Sequence, residues 1–147
     1  MSDETVSGRL EEHRTRKVAV RNGRQHDAPE VVAVVDIDEP ADLVVRSGGR
    51  RAVHLRLPLD LVLLGGDASA PRRLAAMDNA LQVARASCPG LEVRVHERVS
   101  EVAAWLRSHD DSIEVLTVSA ATAATLLARL GDRGELPGRD VVLVSGG

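Results

Sequence analysis

Aromatic side chains are almost missing from this chain, which has no Phe, no Tyr and a single Trp, Trp105. Single-stranded nucleic acid is normally gripped by stacking its bases on aromatic rings, so that class of ligand is not expected. Lysine is equally scarce: Lys17 stands alone beside eighteen Arg, which are scattered among enough acids to leave a net charge of −3. A phosphate backbone calls for a concentrated basic face, and none forms here. Cys88 is the only cysteine; an intrachain disulfide and a Cys-based zinc site are excluded, and the residue reads as a small buried or half-buried thiol. No apolar run reaches the roughly 18 residues of a membrane span, and the N-terminus has no apolar stretch of signal-peptide length. Together these absences lead to the expectation of a soluble, cytoplasmic protein with no nucleic acid partner, no membrane partner and no cofactor.

What the chain does contain is Val, Leu, Ile and Ala arranged in a rhythm. Short apolar runs at 59–64, 91–95, 113–118 and 141–144 alternate with helical patterns at 71–87, 100–109 and 120–130. Strands alternating with helices of this length predict βαβ crossovers and a parallel sheet covered on both faces. Ser69 ahead of Pro71 is a plausible N-cap, and Leu74, Met77, Ala80, Leu81 and Ala84 form one apolar stripe behind it. Ser100 is placed to cap the next helix, with Val102, Ala103, Leu106 and Trp105 inward. Gly131 is a fitting stop for the third.

The front of the chain reads differently. Residues 1–28 are polar and expected to be largely disordered, with a possible edge strand at 17–21. Residues 29–147 make a single α/β domain. Runs at 31–35, 42–46 and 52–57 look like strands, joined by Asp38-Glu39-Pro40 and by Ser47-Gly48-Gly49-Arg50, the latter a good hairpin loop. Val53, Leu55 and Leu57 alternate with Ala52, His54 and Arg56, as in a half-buried strand. The expected fold is therefore a mixed α/β (α+β) domain, a small two- or three-layer Rossmann-like sheet in which antiparallel N-terminal strands precede the βαβ units.

The best site candidate is the turn Gly65, Gly66, Asp67, Ala68, Ser69. It follows a buried strand and opens a helix, at the carboxyl end where open α/β sheets bind ligands. Its glycines let backbone approach an anion, and the helix N-terminus offers free N–H groups and the positive end of the dipole. The same residues are also ordinary turn and cap chemistry, since neither a GxGxxG nor a GxxxxGKS pattern is present.

Asp36, Asp38 and Glu39 cluster after the run 31–35, where alternating carboxylates could hold Mg²⁺. The stretch Val34-Val35-Asp36-Ile37-Asp38-Glu39-Pro40 resembles the first motif of haloacid-dehalogenase-type phosphatases. That resemblance implies Asp36 as nucleophile, Asp38 as acid/base and Ser119 as the second motif. The chain departs from the pattern at Pro40, where Thr or Val belongs, and in lacking the later lysine; Asp110-Asp111 follows a helix rather than a strand. An acidic hairpin turn is the competing reading. The same turn with Leu57 to Leu64 is similar to a response-regulator receiver, but Gly65 stands where the phosphorylated Asp belongs. Residues 60–147 resemble a universal stress protein half-fold, through LLGGDASAPRRLAAMDNAL and the closing PGRDVVLV. That family's glycine-rich nucleotide loop has no counterpart in Ser119-Ala120-Ala121-Thr122.

Histidines 13, 26, 54, 96 and 109 show no ligand spacing, and His54 and His96 are expected on the surface of strands. No Gly-x-Ser-x-Gly elbow exists. Trp105 is expected between helix and sheet, with an interface role as second choice. Val141, Val142, Leu143 and Val144 form an apolar strand that, left at an edge, would pair with a second copy or a partner protein; if central, it would be paired on both sides. Lacking the polar constellations of catalysis, the chain is read as a non-catalytic regulatory or assembly module binding a partner protein or a small anionic ligand. The alternatives are a phosphate- or nucleotide-handling enzyme using the Gly65 to Ser69 turn with Asp36 and Asp38, and a structural subunit pairing through an open sheet edge.

Overall fold

The computed structural model of the protein describes residues 11–16, 28–65, 67–96, 99, 101–131 and 135–145. In chain order the elements are β1 (Glu11–Arg16), β2 (Glu30–Asp36), α1 (Asp42–Leu55), β3 (Leu59–Leu64), α2 (Ala70–Ser87), β4 (Val93–His96), α3 (Val102–Ser108), β5 (Ile113–Ser119), α4 (Ala120–Leu130) and β6 (Asp140–Ser145), with a 3₁₀ turn at Asp110–Ser112. They form one sheet of order β1-β6-β5-β2-β3-β4. The five strands from β2 to β6 run parallel, and β1 lies antiparallel on the outer edge of β6.

The burial of β2 and β3 explains why the sheet is parallel. All but the last residue of β2 and all six of β3 are buried, as in strands covered on both faces. Alternate residues feed two cores. Val31, Ala33, Val35, Leu59, Leu61 and Leu63 pack under α1 and α2. Val32, Val34, Val62, Leu64, Leu116 and Val118 pack under α3 and α4. The result is a three-layer α/β/α arrangement, with the βαβ units where the sequence rhythm predicts them.

The expected antiparallel N-terminal strands are not formed. Residues 42–46 and 52–57 belong to α1 or its end, and the supposed hairpin loop Ser47-Gly48-Gly49-Arg50 is the middle of that helix. Its glycines serve close approach rather than turning. A Cβ on Gly48 would stand 2.9 Å from Thr117 Oγ1 and 3.1 Å from Leu59 Cδ1, and one on Gly49 only 2.7 Å from Cys88 Sγ. The helix can therefore lie flat on the sheet, which offsets the roughly 1 kcal/mol that each mid-helix glycine costs. With a helix between β2 and β3, the connection becomes a crossover and the two strands pair in parallel, Val31 opposite Leu59.

Smaller differences have equally local causes. β1 takes in Glu11 to His13, which were expected to be disordered, by pairing with β6; the possible strand at 17–21 lies outside the described residues, as does the proposed cap Ser100. Leu74, the fifth residue of α2, is 57 % exposed, leaving Met77, Ala80 and Ala84 as the buried stripe. His54 sits on α1 rather than on a strand. Cys88 is buried as expected.

Candidate functional site

Counting only the parallel strands in chain order, the sheet runs 3-2-1-4-5. The direction of winding reverses between β2 and β5, and open α/β sheets bind ligands in the crevice beyond the carboxyl ends at such a point. Here that crevice is real. A cavity of about 640 Å³ is walled by Asp36, Ile37 and Asp38 after β2, by Leu64, Gly65, Asp67 and Ala68 after β3, by Arg72 on α2, by Val99 and Val102 at the approach to α3, and by Thr125 and Arg129 on α4. A shallower lobe of about 340 Å³ continues past Asp36, Ile37 and Arg72 toward α1 and α2.

Backbone packing holds the floor in shape. Ile37 N–H donates to the Leu64 carbonyl at 3.0 Å, tying the two strand ends together. Gly65 adopts φ 123°, and a Cβ there would stand 2.5 Å from Ile37 Cγ2, so only glycine fits. Ala68 N–H closes the turn on the Gly65 carbonyl at 3.0 Å. Ser69 Oγ accepts from Arg72 N–H and caps α2, while Arg73 donates to the Ala68 carbonyl.

Of the turn expected to bind an anion, Gly65 and Asp67 face the crevice, Ser69 is spent on its cap and does not line it, and Gly66 lies outside the described residues. Asp36 and Asp38 both line it, as neighbours in one turn. Asp36 Oδ1 accepts Asp38 N–H at 2.9 Å, and Asp38 Oδ1 pairs with Arg72 at 2.8 Å. Burial pushes the Asp36 carboxyl above its ordinary range; the hydrogen bond from Asp38 N–H opposes this, and the nearby charges of Glu39 and Asp38 add to it. Among the described residues no group of three or more His, Cys, Asp or Glu side chains is arranged to hold a metal ion. The Arg72 guanidinium stands on Asp38 where a metal reading would want a cation.

Ser119, at the end of β5, does meet the acidic turn, but as a structural clamp. Its Oγ donates to Glu39 Oε1 at 2.8 Å and accepts Thr122 N–H at 3.0 Å, while Thr122 Oγ1 donates to the same Glu39 oxygen at 3.3 Å. The serine is the N-cap of α4. Glu39 thus locks the turn after β2 to the start of α4 across the switch point.

Sequence reasoning missed Arg72, Thr125 and Arg129. Thr125 and Arg129 lie one helical turn apart on α4, a spacing that puts them side by side, yet only the topology brings α4 to the crevice. Arg129 has no ion-pair partner among the described residues, unlike Arg72. Trp105 packs outside the crevice, half-buried, its ring stacked 4.0 Å from His109 and tilted at 5.1 Å against His96. The interface role considered for Val141, Val142, Leu143 and Val144 rested on an open edge; β5 and β1 occupy the two edges of that strand. Among the described residues no helix is long and apolar enough to cross a membrane. No protein-family model matches the chain, and no curated protein or solved structure proves similar to it.

Proposed function

We propose that the crevice beyond β2 and β3 binds a mononucleotide-sized organic phosphate and that the protein is a non-catalytic module acting through that binding. The observation that carries this reading is the lining of the crevice: Arg129, a guanidinium with no ion-pair partner among the described residues, shares a space of about 640 Å³ with carboxylates and an apolar wall. That volume lies within the range of small-molecule pockets. Arg129 and Thr125 would take the anionic end, guanidinium being well matched to phosphate. Arg72 is recruitable because its exposed pair with Asp38 is weak. Ile37, Leu64, Val99 and Val102 offer an apolar surface, and Asp67 accepts hydroxyl groups.

The non-catalytic part rests on what the nucleophile candidates already do. Ser69 and Ser119 are spent on caps, and among the described residues of the crevice no hydroxyl or thiol has a base beside it. The phosphatase-like alternative is favoured by one observation, that Asp36 and Asp38 both face the crevice.

Calorimetric titration with ADP, AMP, inorganic phosphate and adenosine tests the reading. The phosphorylated ligands should bind with Kd below about 1 mM, adenosine should not, and Arg129→Ala should weaken binding about tenfold, near 1.4 kcal/mol. Silence from ADP and AMP at millimolar concentration would remove the proposal. Release of inorganic phosphate that Asp36→Asn abolishes would replace it with the phosphatase.

A further inference from the structure

At the opposite end of the sheet, a second group of charges lies on the α3/α4 face, away from the crevice. Glu30 opens β2, Asp60 is the second residue of β3, and Arg94 sits directly opposite Asp60 on β4. Both acids are buried, Glu30 at 6 % and Asp60 at 3 % exposure. One guanidinium bridges them, with Arg94 Nη2 3.4 Å from Glu30 Oε1 and Nε 2.9 Å from Asp60 Oδ1. Ser112, from the 3₁₀ turn before β5, donates to Glu30 Oε2 at 3.3 Å. His96 Nε2 stands 3.6 Å from Asp60 Oδ2, and the ring of His96 leans on Trp105 of α3, which stacks on His109. These contacts form a continuous path from β2 through β3 and the edge strand β4 to α3.

At alkaline pH, where an imidazole carries no charge, two buried carboxylates against one guanidinium leave one negative charge uncompensated, and burying an unpaired charge is far costlier than binding a proton. We propose that one proton held between Glu30 and Asp60 is the latch that fastens β4 and α3 to the sheet. The titration directions agree. Burial first, then the hydrogen bond and charge of Asp60, raise the Glu30 carboxyl to about 8 against the lowering effects of Arg94 and Ser112. Burial pushes Asp60 up as well, but the facing His96 and Glu30 side chains and the charge of Arg94 outweigh it and hold Asp60 below its ordinary value. Glu30 is therefore the protonated member and Asp60 the ionised one.

Among the described residues, the one neighbour that could supply a second cation is the imidazole of His96, when protonated, 3.6 Å from Asp60 Oδ2. On the 3₁₀ turn, Asp110 accepts Gly138 N–H and Asp111 is exposed. On β5, Glu114 pairs with Arg139 at 3.8 Å. His109, at the end of α3, donates from Nδ1 to the Trp105 carbonyl. Loss of the proton sets two like charges against each other beneath Arg94 and His96 of β4, and the contacts of those two side chains must rearrange around them. The same β4–α3 segment carries Val99 and Val102 of the crevice wall.

Trp105 is the natural reporter, because the chain has no other Trp and no Tyr to titrate in the alkaline range. Cys88 lies under α1 on the other face, against Gly49. Trp105 emission should change reversibly between pH 7 and 10 with a midpoint near 8, and Glu30→Gln, which keeps the hydrogen bond but cannot ionise, should abolish the change. In parallel, the carboxyl ¹³C resonance of Glu30 in the unmodified protein should titrate near the same midpoint. A Glu30 resonance that titrates below pH 6, emission flat across the range, or an emission change that survives Glu30→Gln would each overturn the latch.

Discussion

Asp38 and Arg72 meet at 2.8 Å at the carboxyl end of the sheet with side chains 74 % and 58 % exposed, whereas Asp60 and Arg94 meet at 2.9 Å at the amino end with the carboxylate only 4 % exposed. The separations are nearly the same, so the difference in worth comes from the medium. In water the attraction is screened and an exposed pair contributes about 0–1 kcal/mol. In the dry interior, removing one partner strands a charge and costs about 3–5 kcal/mol. One end of the molecule therefore keeps its charges loosely held at the solvent surface, while the other uses them to hold the fold.

Mutation separates the two ends. Arg94→Met should destabilise the protein by about 3 kcal/mol in urea unfolding, at the low end of the range for a broken buried pair because Arg94 is itself 45 % exposed. Next in size is Gly65→Ala, which forces a side chain into a positive-φ position against Ile37 and should cost about 2 kcal/mol. Its effect would show that backbone packing, rather than charge, shapes the crevice. Arg72→Met should change stability by less than about 0.5 kcal/mol, so a loss comparable to that of Arg94→Met would erase the contrast between the ends.

The pH dependence sharpens the same contrast. Glu30 titrates near 8 in the folded protein against an ordinary 4.5. The folded state then binds more protons than the unfolded state between those values, and stability must fall as pH rises through that window. Asp60, held below its ordinary 3.8, acts in the opposite sense and only in acid, below that value. Thermal unfolding followed from pH 5 to 9 should show a falling Tm, and Glu30→Gln should flatten most of that slope. An unchanged slope in the variant would assign the effect elsewhere. Asp36, raised chiefly by burial, adds a smaller term of the same sign as Glu30.

Strand and helix spacing made most of this fold legible in the sequence. The run 59–64 coincides with β3 and the pattern 120–130 with α4, because a buried strand is wholly apolar and an α4-type stripe repeats every three or four residues. The helix α1 was hidden for two reasons. Its centre is Ser47-Gly48-Gly49-Arg50, where burial demands small residues rather than apolar ones, and Ala41 provides no side-chain cap to announce its start. Val44, Gly48 and Ala52, at spacings of four, were the available clue. Within the site, Gly65, Asp67, Asp36 and Asp38 could be found because turn chemistry is local. Arg129 could not, since its place in the crevice depends on the strand order that carries α4 beside β2. The Glu30–Asp60–Arg94 group was unreadable for the same reason, each strand supplying one charge.

The binding claim is tested most directly by following backbone amides during titration with ADP. The account expects the resonances of Gly65, Asp67, Ala68 and Arg129 to shift together and saturably, with Glu30 and Asp60 at the other end unmoved and Arg129→Ala moving the midpoint of the remaining shifts about tenfold higher. Crevice amides that stay still to 10 mM (roughly ten times the weakest affinity expected of a specific site) while the fold is intact would contradict it.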